Sequence, residues 1–293
     1  MSPLLHPEQP GGNGEMMVPH MYWSEKEDCQ NLNIWTPSIR DGRKRPVMVW
    51  LHGGGFSAGS SIEQLAYDGE NLSRAGDVVV VSVNHRLNVL GYLDLSPFGE
   101  KYQDSANAGN LDLIAALEWI RDNIEGFGGD PENVTLFGQS GGGVKVWSLL
   151  QMPEADGLFH KGIIESGVVD PDLLGDIEDG NGREIVKAML AELGLEEKDV
   201  DQLETLPYDQ LAQAYENAAP KVAQKGEYVG NHPHKNQSYF GDAIKHGFRE
   251  ETKKIPLLIG TVLGEFDFGP AISGKYEFTR NCLLYTSPSP RDS

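Results

Sequence analysis

The chain has 293 residues, enough for one large domain or two small ones, and its 39% hydrophobic and 9% aromatic content suits a packed core rather than disorder. Lys plus Arg number 24 against 44 Asp plus Glu, a formal net charge of −20, which argues against nucleic acid and anionic membrane surfaces as partners. Only two cysteines occur, Cys29 and Cys282, which excludes a disulfide framework and a cysteine-rich zinc site, and no apolar run reaches the ~18 residues of a membrane helix.

The opening, MSPLLHPEQPGGNGEMMVPH, reads as a polar Pro/Gly-rich loop without the charged and apolar regions of a signal peptide, so the expected location is cytoplasmic. Apolar, β-rich runs follow at Leu32–Trp35, Pro46–Gly54, Asp77–His85, Asn133–Gly138, Lys161–Gly167 and Ile255–Val262. From Pro46 onward these runs are continuous rather than alternating, as expected for strands buried on both faces. Between them, Asn110–Ile124 sets Leu113, Leu117 and Ile120 or Ile124 on one helical face. Further helices are predicted after Ser140, near Arg183–Leu193 and, more weakly, near Tyr208–Asn217. Strands alternating with helices predict an α/β fold, a doubly wound and mainly parallel sheet. Strand signals nearly vanish over 170–251, predicting a mostly helical insertion within one domain of residues 1–281. Residues 282–293, CLLYTSPSPRDS, resemble a sequencing-library adapter read through as protein, so they are expected to be a non-native tail.

Three motifs carry chemistry. GQSGG, Gly138–Gly142, sits between a strand pattern and a helix pattern, the setting of a nucleophile elbow that lifts Ser140 to the positive end of a helix. HGGG, His52–Gly55, ends a buried strand in three glycines, whose amides can turn toward a developing oxyanion. Gly54, Gly55 and Gly141 are the candidate donors. Glu265 follows the last strand in GTVLGEF and is the candidate acid, in the chain order Ser then Asp or Glu then His; Asp267 is its rival.

With EDCQNLNIWTP, PVMVWLHGGGF, VSVNHRLNVLGYL, the long segment from Asn107 to Gly143, and IPLLIGTVLGEF, the chain resembles the type-B carboxylesterase family over Glu27–Phe268. The family includes cholinesterases and bacterial para-nitrobenzyl esterases. The resemblance implies an α/β-hydrolase fold and hydrolysis of small-molecule esters without metal or cofactor. It places the nucleophile at Ser140, the acid at Glu265, the oxyanion donors at Gly54, Gly55 and Gly141, and a structural ion pair at Arg86 and Asp112. Departures are Gln139 where many relatives have Glu, His85 where Tyr is usual, and Leu113 where Gln is usual. The family's opening segment is largely missing, including an arginine expected to pair with Glu27, so the resemblance implies truncation at both ends.

All eight histidines, His6, His20, His52, His85, His160, His232, His234 and His246, precede Glu265. The resemblance places the catalytic base after the acid, so the chain is expected to lack it and to be nearly inactive. The HPH of residues 232–234 lacks clustered partners for a metal. Two rival readings stand beside the esterase: a catalytically silent hydrolase-fold protein for adhesion or signalling, which the presence of Ser140 and Glu265 opposes, and a hydrolase of thioesters or amides.

Overall fold

The computed structural model describes residues 26–39, 41–168, 180–262 and 265. His6, His20, Asp267 and the expected tail at 282–293 lie outside them. The chain divides into two compact units, residues 1–259 and 260–293.

Six strands form one sheet. They are β1 (Asn31–Trp35), β2 (Arg45–Leu51), β3 (Val79–Asn84), β4 (Gly129–Gln139), β5 (Lys161–Glu165) and β6 (Leu257–Gly260), in the order β1-β3-β2-β4-β5-β6. β1 runs antiparallel to β3, whereas β3, β2, β4 and β5 pair in parallel. The β-branched run VVVSVN of β3 is buried at every position, because helices cover both faces of a parallel sheet. This is the mainly parallel α/β sheet that the alternation of strand and helix patterns predicts.

The helices among the described residues, apart from 3₁₀ segments, are α1 (Glu70–Gly76), α2 (Asn88–Tyr92), α3 (Ala108–Asn123), α4 (Gly141–Leu149), α5 (Arg183–Glu192), α6 (Tyr208–Ala223) and α7 (Ala243–His246). α3 buries Leu113, Leu117 and Ile120, and Ile124 just past its end, against Val47, Val49, Val81 and Leu136 of the sheet. Fully burying each such side chain stabilises the fold by roughly 1.5–3 kcal/mol. A second core joins α5 and α6 through Ile185, Met189, Leu190, Leu211, Ala214 and Ala218, with Val89 and Leu93 packed on it. No strand occurs among the described residues from 180 to 256.

Two element boundaries differ from the sequence reading. β4 begins at Gly129 rather than Asn133, since Gly129 pairs with Arg45 ahead of a register shift; the Asp-Pro-Glu that follows reads as a turn. α6 runs to Ala223, past Pro220 in its last turn. Buried Ala218 and Val222 hold that turn in place despite the hydrogen bond that proline removes.

Candidate active site

The site forms where β2 and β4, paired in the centre of the sheet, both stop. β4 ends at Gln139 and α4 starts at Gly141, so Ser140 alone makes the turn, at φ 53° and ψ −125°. A non-glycine residue at positive φ is strained by about 1–3 kcal/mol and persists only where its surroundings enforce it. The enforcement is visible. Ser140 N–H donates to the Glu165 carbonyl at 2.8 Å, tying the turn to the end of β5, and its own carbonyl accepts from Val144 N–H at 3.0 Å, the first turn of α4.

The glycines on either side let three backbones meet. A Cβ at position 142 would overlap the Leu51 carbonyl oxygen, and one at 138 would stand 2.5 Å from the Gly142 carbonyl carbon. A Cβ at 141 would overlap Gly55, 2.5 Å from its Cα, and one at 53 would lie 3.7 Å from Ser140 Cβ. The His52–Gly55 loop therefore rests directly on the Ser140–Gly141 turn. Gly54 and Gly55 adopt φ of 83° and 62°, and the Gly54 carbonyl turns away to accept from Ser57 and Ala58 N–H. Gly54, Gly55 and Gly141 are thus brought into one backbone cluster beside Ser140.

Beneath the loop lies a buried polar layer. His52 Nδ1 donates to the Gly53 carbonyl at 2.9 Å, in the tautomer that suits this acceptor. The ring stacks on His85 at 5.4 Å between centroids, and His85 Nδ1 pairs with the Arg86 carbonyl at 2.8 Å. Both imidazoles are held well below the usual histidine pKa, first by burial and then by the charge of Lys145. Lys145, in α4, is fully buried, and its Nζ donates to the His52 carbonyl at 2.8 Å. Burial pushes its pKa down to about 7. The sequence reading passed over Lys145; its one signal is a single charge in the otherwise uncharged GGGVKVWSLL.

Arg86 and Asp112 form an ion pair. Arg86 Nη2 and Nε donate to the two oxygens of Asp112 at 2.7 and 2.8 Å, and the Arg86 backbone N–H adds a third bond at 2.9 Å. The pair ties the loop after β3 to α3. Glu27 accepts from Tyr208 N–H at 2.7 Å. The Cys29 side chain is buried.

Glu265 belongs to the second unit. Its carboxylate accepts from Val262 N–H at 2.9 Å, and its own N–H donates to the Val262 carbonyl at 3.4 Å, a local turn after β6. Ser140 Oγ makes no hydrogen bond among the described residues, and the six described histidines are engaged elsewhere. Besides His52 and His85, His160 Nδ1 accepts from Val134 N–H, His232 Nδ1 pairs with the Pro233 carbonyl, His234 packs on Tyr228, and His246 Nε2 meets Lys235 Nζ. Among the described residues no three His, Cys, Asp or Glu side chains are grouped to hold a metal ion, and no helix is long and apolar enough to cross a membrane.

Comparison with known proteins agrees with this architecture. The model of the carboxylesterase family matches residues 6–278. The para-nitrobenzyl esterase of Bacillus subtilis is 39% identical over 251 residues, 82% of this chain and 48% of that protein. A solved esterase from anaerobic Clostridium hathewayi, described as able to hydrolyze aliphatic aromatic polyesters, is 54% identical with a TM-score of 0.88, covering 98% of this chain and 56% of that one. A thermophilic para-nitrobenzyl esterase structure is 36% identical with a TM-score of 0.68, over 85% of this chain and 50% of its own. The chain spans about half the length of these relatives. It belongs to the carboxylesterase family.

Proposed function

We propose that this member of the carboxylesterase family is built to cleave carboxylic esters of small molecules through an acyl-enzyme on Ser140. The observation that carries the reading is the strained Ser140 turn at the start of α4 with the Gly54–Gly55 backbone packed on it. In the proposed reaction a base takes the Ser140 hydroxyl proton while Oγ bonds to the ester carbonyl carbon. The carbonyl oxygen becomes an oxyanion beside the Gly54, Gly55 and Gly141 amides; each such donor supplies ~3–4 kcal/mol. The C–O bond to the alcohol then breaks as the base returns its proton to the leaving oxygen. Water repeats the sequence on the acyl group and frees Ser140. Glu265 is proposed to orient the base, and the Arg86–Asp112 pair to hold the strand ends beneath.

The base itself is proposed to lie outside the eight histidines of this chain, since those that are described are bound elsewhere. Turnover by the chain should then fall roughly 10⁴–10⁶-fold below that of a complete triad. Hydrolysis of a nitrophenyl acetate measures this: we expect a slow rate that drops further in Ser140→Ala. Fast turnover, or a rate indifferent to that substitution, overturns the respective part. The 54% identity to the Clostridium esterase supports aromatic as well as aliphatic acyl groups as substrates. The residual, Ser140-dependent rates on nitrophenyl benzoate and acetate should accordingly be comparable.

A further inference from the structure

Lys145 is a buried cation that the reaction above does not use. It is fully buried, and among the described residues Nζ has one hydrogen-bond partner, the His52 carbonyl at 2.8 Å. Among the described residues it forms no ion pair, and the charge of Glu63 favours its protonated form. The Phe56 ring centroid lies 5.9 Å from Nζ, and the stacked His52 and His85 imidazoles feel its charge. An amine so placed is a poor device for stability, because an apolar side chain of similar length would fill the space without desolvating a nitrogen. Among the described residues its hydrogen bond goes to the residue that begins the HGGG loop.

That contact has leverage. His52 is the first residue past β2, and the next three residues are glycines, which have no side chains to hold a conformation of their own. The loop therefore depends on anchors from outside. His52 Nδ1 fixes the Gly53 carbonyl, and Lys145 fixes the His52 carbonyl from α4, the helix that follows directly on Ser140. We propose that Lys145 is the positioning residue of the oxyanion loop: by donating to the His52 carbonyl it locks residues 53–55 onto the Ser140–Gly141 turn. One helix then carries both the nucleophile and the anchor of its electrophilic cradle, so the two move together. This rests on the esterase reading for its catalytic meaning but not for its structural content.

The test compares the whole chain with Lys145→Met, which keeps the length and removes the donor, and Lys145→Gln, which keeps a donor of shorter reach. Amide hydrogen exchange read by mass spectrometry should show segment 52–60 exchanging at least about tenfold faster in K145M, the scale of one buried hydrogen bond lost. β3 and α3 should be unchanged, the thermal midpoint equal or higher, and K145Q intermediate. Unchanged exchange in 52–60, or faster exchange spread over the whole chain, overturns the proposal. Loss of cooperative folding in both variants overturns it too, because the role would then lie in the fold as a whole. In the residual nitrophenyl acetate reaction, kcat of K145M should fall about tenfold with KM unchanged. If Ser140→Ala leaves that rate untouched, the esterase reading fails, while the exchange comparison still decides the role of Lys145.

Discussion

Around Ser140 the polypeptide is held backbone against backbone, whereas the α5–α6 layer is held side chain against side chain. At the turn, Gly138, Gly141 and Gly142 admit the carbonyl of Leu51 and the backbone of Gly55 to distances that any Cβ would forbid. In the helical layer, Ile185, Met189, Leu190 and Tyr215 fill a core of ordinary apolar contacts. The difference teaches where each region can yield. A packed apolar layer relaxes around a lost methyl group, since neighbouring side chains shift. Backbone atoms in contact have no rotamer to change, so the turn must either fit or come apart.

The sharpest way to break this comparison is to add one methyl group at the turn. Gly142→Ala should cost about 4 kcal/mol or more, or abolish cooperative folding, since the new Cβ meets the Leu51 carbonyl. Ala218→Gly, which removes a methyl group from a fully buried site in α6, should cost only about 1–2 kcal/mol in urea unfolding. Equal costs would erase the distinction. Next in size, Leu190→Ala in the second core should cost roughly 2–5 kcal/mol, with exchange at 52–60 unaffected.

The buried amine beneath the loop adds a pH signature that the apolar layer lacks. Lys145 titrates near 7 when folded and near 10.4 when unfolded. Between those values the unfolded chain binds the extra proton, so stability rises with pH; below pH 7 both states are protonated and the cost of burying the charge is fully present. From pH 7 to 9 the gain is at most about 2.7 kcal/mol, and Lys145→Met should abolish it. His52 and His85 act on the acid side: their depressed values make stability fall as pH drops below about 6.5. Unfolding curves at pH 5, 7 and 9 for both proteins separate the two effects. As small as the Ala218→Gly effect, Asp112→Asn should cost about 1–2 kcal/mol, because Arg86 is partly exposed and retains two donors to the amide oxygen.

The same contrast decides what could be read from the residues alone. Strand–glycine–serine–glycine–helix and strand–HGGG are local patterns, so the turn at Ser140 and the loop ending β2 were legible, as was the apolar face of α3 with Leu113, Leu117 and Ile120. The extra turn of α6 past Pro220 was not legible, because burial of Val222 on a distant helix is what holds it. Nor was the start of β4 at Gly129, since pairing with Arg45 is a long-range contact hidden under turn-forming residues. Lys145 is the clearest case. A lysine in a helix reads as a solvated charge, and only the arrival of the His52 carbonyl from another strand makes it an interior group. Glycine patterns announce where backbones will meet; they do not announce which side chain will hold them.

The central claim is that the turn presents Ser140 as the reacting group of this fold. Incubating the chain with a reactive fluorophosphonate and mapping the adduct by peptide mass spectrometry tests it directly. The account predicts one slowly formed adduct, on Ser140, that disappears in Ser140→Ala. An adduct on any other residue, or one that survives that substitution, would contradict it.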